Sequence, residues 1–107
     1  MSYEIIVSST AEADLASAFV WYEDKGINLG VDFIRCVDAA LAGLKRIPLR
    51  FPQRHGEFRL AMVPRFPYAI YFIVNEPESF ISVQAILHFA QDASAELTQR
   101  GCHVNKL

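Results

Sequence analysis

A chain of 107 residues and 12.1 kDa has the length of one domain, which buries roughly two-thirds of its unfolded surface without needing metal or disulfide staples. With 52% apolar and 21% charged residues the composition excludes a disordered or low-complexity chain, and the net charge of −2 argues against a domain built wholly around counterion-driven nucleic-acid binding. No internal repeat or Pro/Gly-rich linker divides the sequence.

The N-terminus enters a strand pattern near residues 2 to 8 (Tyr3-Glu4-Ile5-Ile6-Val7) without a basic leader or a long apolar run, so a cytoplasmic protein is expected. Ser9 and Glu12 have capping-box spacing. Behind them Ala11, Leu15, Ala18, Phe19 and Tyr22 recur at helical intervals until Gly26. A second amphipathic helix is expected from about Asn28 to Ile47, with Phe33, Val37, Ala40, Leu41 and Leu44 as its stripe and Pro48 as its stop. The short connection makes the pair an antiparallel helical hairpin.

From Glu57 onward the period changes to two. Phe58, Leu60 and Met62 alternate with Arg59, Ala61 and Val63; Tyr68 to Val74 is apolar on both faces; Ile81, Val83, Ala85 and Leu87 alternate with Phe80, Ser82, Gln84 and Ile86. These read as a three-stranded antiparallel meander, with Asn75 to Ser79 as one turn and Pro64 and Pro67 bracketing another that puts Arg65 at its tip. A short last helix is expected from Ser94 to Arg100, capped by Asp92 or Ser94 and followed by Gly101. The fold class is therefore α+β: an N-terminal strand, the hairpin, the meander and a C-terminal helix. Since the middle meander strand is apolar on both faces, the face away from the hairpin needs the last helix, a partner or a second copy to cover it.

If Ile81, Val83, Ala85 and Leu87 face the hairpin, then Ser82, Gln84 and His88 lie opposite, and the same parity puts Arg59 with them. Tyr68 and Tyr71 fall on opposite faces. Charge is also uneven: between residues 45 and 65, Lys45, Arg46, Arg50, Arg54, Arg59 and Arg65 stand against Glu57 alone, a local +5 on an acidic chain. That segment reads as a solvated helix end whose Lys45 and Arg46 complement the helix dipole, as a docking site for an acidic partner, or as a phosphate contact. Cys36 and Cys102 have no metal-ligand spacing, and the adjacent Cys102 and His103 have poor ligand geometry, so two free thiols, no metal and no cofactor are expected.

The order of these features resembles the ParE/RelE superfamily of bacterial toxins. The resemblance rests on the first strand, the helix with Asp14-Leu15 and Trp21-Tyr22, the second helix with Phe33 and the Pro48 stop, then Arg59, Phe66-Pro67-Tyr68, Tyr71, His88 and Asp92. It implies a helical hairpin on a curved antiparallel sheet, and the toxin of a type II toxin–antitoxin, or plasmid stabilisation, module silenced by a cognate antitoxin. The implied assembly is a toxin–antitoxin hetero-oligomer or a homodimer, with no membrane partner. Trp21, beside Val20 at the edge of its stripe, either completes the core or anchors an antitoxin helix. Arg50 and Arg54 are the matching candidates in the basic segment.

Two targets are implied within the superfamily. A RelE-like member cleaves mRNA on the ribosome, and here His88 would transfer protons, Arg59 and Arg65 would hold the phosphate, and Glu57 offers a second carboxylate. RelE-type enzymes look strongly basic with a tyrosine near the C-terminus. This chain is acidic overall, has no lysine between Lys45 and Lys106, carries Gln91 where relatives often have arginine, and has no tyrosine after Tyr71. A ParE-like member poisons DNA gyrase without being an enzyme and needs no proton-transfer pair, which suits this sequence better. A repurposed member that only binds its antitoxin is the third option.

Overall fold

In a computed structural model, which describes residues 3–100, the chain folds as strand, helical hairpin, four further strands and a short helix. Strand β1 is Glu4–Val7, and helix α1 is Ser9–Lys25. The cap of α1 is Ser8, one residue earlier than the capping-box spacing suggested: its Oγ accepts the Ala11 N–H at 3.1 Å. Gly26 ends the helix as expected. Helix α2, Leu29–Arg46, starts behind Asn28, whose left-handed backbone (φ 64°) turns the chain but whose side chain makes no cap. Glu23 of α1 supplies it instead, its carboxylate accepting the N–H groups of Gly30 and Val31 at 3.1 and 3.3 Å. Gly30 is what lets the helices meet there, since a Cβ would sit 2.7 Å from the Phe19 carbonyl.

A 3₁₀ turn at Pro48–Arg50 leads to a strand that period analysis did not anticipate, β2 (Gln53–His55), too short and polar to show alternation. Strands β3 (Phe58–Met62), β4 (Tyr68–Asn75) and β5 (Phe80–His88) form the expected meander. Helix α3 is Ala93–Gln99, with Asp92 Oδ1 capping Ala95 at 3.1 Å; Gly101, Cys102, His103 and Lys106 lie outside the described residues. The sheet order is β1-β5-β4-β3-β2, mixed because β1 runs parallel to β5 while all other pairs are antiparallel. The connection that this parallel pair requires runs from β1 through the hairpin to β2 at the far edge and returns through β3 and β4 to β5.

Both faces of β4 are covered. On the hairpin side Phe33, Val37 and Leu44 of α2 and Ala18 and Tyr22 of α1 pack with Ile70, Phe72, Ile81 and Val83. On the other side Leu97 of α3 is buried with Phe58, Ala69, Tyr71, Ala85 and Leu87. The last helix is thus the cover that the apolar middle strand demanded.

Two strands depart from the expected alternation. In β5 the register slips between Tyr71 and Phe72, which pair with Ala85 and Val83, so Gln84 is an extra residue in the ladder. Ile81 and Val83 face the hairpin, but Ala85 and Leu87 face α3, and Ile86 joins the hairpin core. In β3, Phe58 and Leu60 face the α3 side, while Ala61 and Val63 face the hairpin. A bulge exchanges the faces beyond it, and no residue pattern in β5 announces this one.

Candidate functional site

Past Val7, β5 loses its parallel neighbour and exposes a strand edge, which side chains then occupy. The Gln84 carbonyl accepts from Ser8 Oγ, Thr10 Oγ1 and Arg100 Nη1, each at 3.4 Å. The Ile86 N–H donates to Asp14 Oδ2 at 2.9 Å, and the His88 N–H to Gln91 Oε1 at 2.8 Å. Asp14 is also bidentate to Arg100, at 2.8 and 2.9 Å, and Arg100 reaches Glu96 at 3.2 Å. The Asp14 hydrogen bond raises the Arg100 pKa above its ordinary value, against the opposing effect of desolvation. One carboxylate therefore ties α1, the β5 edge and the end of α3 together.

Beside this clip a groove of about 480 Å³ opens between α1 and the end of β5, lined by Asp14, Ser17, Trp21, Tyr68, His88 and Gln91, among others. The His88 ring stands edge-on to Tyr68 with centroids 5.2 Å apart, and its Nδ1 accepts the Ala90 N–H at 2.9 Å. The proton of a neutral ring is then on Nε2. Burial, with smaller contributions from Tyr22 and Asp14, pushes the Tyr68 phenol above its ordinary pKa. Trp21 does not complete the core: 52% exposed, it stands edge-on to Tyr22 and carries the Lys25 ammonium 4.6 Å above its ring.

The polar face expected from Arg59, Gln84 and His88 does not form. Arg59 shares the hairpin side of β3 with Ala61, and its guanidinium donates to the carbonyls of Leu49 at 3.3 Å and Phe51 at 2.6 Å. It pairs across to Phe72, whereas His88 pairs to Tyr68, so the two are offset by four residues along β4, roughly 13 Å, and also have the width of β4 between their strands. Gln84 lies on the opposite face, where its amide donates to Ser82 Oγ. Arg65 sits at the tip of the β3–β4 turn as expected, in a left-handed conformation (φ 69°) and exposed. Arg50 and Arg54 are exposed on the 3₁₀ turn and on β2. Among the described residues no three His, Cys, Asp or Glu side chains converge as metal ligands do.

Two features escaped sequence reasoning. His55 lies 5.8 Å from the Tyr71 ring, at the edge of the sheet face that α3 covers, and only the unforeseen β2 puts it there. Asp14 was readable as part of a helix but not as the ligand of Arg100, 86 residues away.

No protein-family model matches the sequence, and no curated protein matches it significantly. Solved structures do. A chain of the chromosomal ParDE TA system from P. aeruginosa superposes with a TM-score of 0.71 at 17% identity, covering 80% of this chain and 95% of that one. A chain of the toxin–antitoxin complex RelBE2 from Mycobacterium tuberculosis gives 0.51 at 19% identity, covering 82% and 99%. The chain has the ParE/RelE toxin fold. Within that fold, helix α3 and the Asp14 clip close one sheet face and the β5 edge, and the groove by Trp21 and the 3₁₀ turn with its exposed Arg50 stay open. No helix among the described residues is long and apolar enough to cross a membrane.

Proposed function

We propose that this chain is the toxin of a type II toxin–antitoxin module and that it acts as a ParE-like poison of DNA gyrase, by binding rather than by phosphodiester cleavage. The toxin–antitoxin part rests on the ParE/RelE toxin fold and on two solved neighbours that are described as toxin–antitoxin systems. A cognate antitoxin is the partner that goes with it.

The choice of target rests on one observation: of the cations a nuclease would need, Arg59 and Arg100 are engaged by groups of the fold itself. Stabilising a phosphorane requires cations and a proton-transfer group within hydrogen-bond reach of one phosphate. Here Arg59 spends its donors on two backbone carbonyls, Arg100 is held by Asp14, Arg65 sits on a turn tip and His88 lines a groove on the hairpin side. On the opposite face Tyr71, Ala85 and Leu87 are buried with Leu97 of α3. Such a molecule is suited to contacts with another protein. Trp21, Arg50 and Arg54, all exposed, are the proposed anchors for antitoxin or target.

A RelE-like ribonuclease is the second reading, favoured by the RelBE2 likeness and by His88 lining the same groove as Asp14 and Tyr68. His88→Ala separates the two. A gyrase poison keeps full toxicity and blocks supercoiling by purified gyrase with or without the imidazole. A ribonuclease loses on the order of 10²-fold or more in mRNA cleavage, and that loss in a folded variant would overturn the gyrase assignment.

A further inference from the structure

The basic segment seen in the sequence has an apolar centre. Between the end of α2 and the 3₁₀ turn, Ile47 and Leu49 are each 44% exposed. Two shallow hollows, of about 280 and 310 Å³, share Ile47 and Arg50; Tyr3, Arg46 and Leu49 line one and Phe51 the other. Lys45, Arg46, Arg50 and Arg54, all exposed, lie in the same stretch of chain.

The patch is preorganised. Tyr3 N–H donates to the Lys45 carbonyl at 3.0 Å, Arg50 N–H to Ile47 at 3.1 Å and Phe51 N–H to Pro48 at 3.3 Å. Arg59 completes the frame from β3 through its bonds to the carbonyls of Leu49 and Phe51. An arginine that looked like a phosphate ligand thus fixes the backbone that displays Leu49 and Arg50. A surface held in place this way loses little conformational entropy when a partner binds.

We propose that this arginine-rimmed aliphatic patch docks an acidic amphipathic segment of a protein partner, the antitoxin, an inference that rests on the toxin–antitoxin reading above. Residues 45 to 54 carry a net +4 and the remainder of the chain −6, so an acidic partner is repelled elsewhere and steered here. The exposed side chains at the centre, Ile47 and Leu49, are aliphatic, and the two rings beside them are engaged with the core: Phe51 is turned onto Phe72 at 5.9 Å and Tyr3 packs against the hairpin-side cluster. Apolar contact inside a cationic rim matches an amphipathic peptide better than a nucleic-acid strand.

The test uses the full chain and, as probe, the protein encoded beside its gene, with affinity measured by calorimetry at low and high salt. Leu49→Ser and Arg50→Glu are each expected to weaken binding by about tenfold or more with an unchanged thermal midpoint. The Arg50→Glu deficit should shrink as salt rises, and Arg35→Glu, the same charge change on the exposed face of α2, should have little effect. Amide signals of Arg46 to Phe51 should shift on titration, which reports on the patch even if a variant folds poorly. Full affinity in both patch variants, with shifts confined to other surfaces, overturns this docking site and leaves the toxin–antitoxin reading standing. Absence of binding by the wild type overturns both. Binding of a short single-stranded RNA that Arg50→Glu abolishes and Leu49→Ser does not would make the patch a phosphate surface and also overturn the proposal.

Discussion

Asp14→Ala is the substitution from which the fold has most to lose at a single polar side chain. It removes both bonds to Arg100, at 2.8 and 2.9 Å, and orphans the Ile86 N–H that donates at 2.9 Å. Both side chains are about five-sixths buried, at 15% and 16% exposure, so water replaces these partners poorly. Breaking one partner of a buried pair costs ~3–5 kcal/mol and an orphaned buried donor ~1–3. Residual exposure and the Glu96 contact that Arg100 keeps bring the expected loss down to about 2–4 kcal/mol. At roughly 4–8 °C per kcal/mol for a domain near this size, the thermal midpoint should fall by on the order of 10–20 °C. A double-mutant cycle with Arg100→Ala, followed by circular dichroism in urea, should give a coupling energy above ~1 kcal/mol. Strict additivity, or a midpoint lowered by only ~2 °C, would refute the view that this carboxylate joins α1, β5 and α3.

Other consequences can be measured on the same samples. Gly30→Ala puts a methyl group 2.7 Å from the Phe19 carbonyl and should cost about 1–3 kcal/mol by forcing α1 from α2, whereas Gly43→Ala, whose Cβ meets nothing within 4 Å, should be neutral or slightly stabilising. Burial raises the phenol pKa of Tyr22, Tyr68 and Tyr71, so their contribution to stability is complete below about pH 10 and is lost as pH rises through the folded-state values. Absorbance at 295 nm should accordingly rise at higher pH in the native protein than in urea, and coincident curves would contradict the burial. Arg59→Ala should loosen the 3₁₀ turn, seen as faster amide exchange at Arg50 and Phe51, and unchanged exchange there would show that the guanidinium is not what holds it.

Long apolar periodicity carried most of the fold. The stripes of α1 and α2, the doubly apolar β4 and the turn at Pro64 to Pro67 were legible because hydrophobic spacing and Pro chemistry are local signals. What failed was local too, but silent. β2 spans only Gln53–His55 and owes its existence to pairing with β3, not to its own pattern. The bulge at Gln84 reversed the faces of Ala85, Leu87 and His88, and the run Ala85-Ile86-Leu87, apolar on both sides, gives no hint of such a slip. The expected polar face of Arg59, Gln84 and His88 failed for the same reason. Arg59 was assigned by parity from a starting face that tertiary packing reversed, and its carbonyl partners belong to the segment just after α2, where no motif marks them. Trp21 was legible as an edge residue, and only the three-dimensional packing decided that it points outward.

The most direct measurement is pulse-labelling of DNA and protein synthesis in bacterial cells during the first minutes after this chain is expressed alone. The account predicts that DNA synthesis stops first, with protein synthesis following later, and that His88→Ala behaves as the wild type. Arrest of protein synthesis first, relieved by His88→Ala, would contradict it.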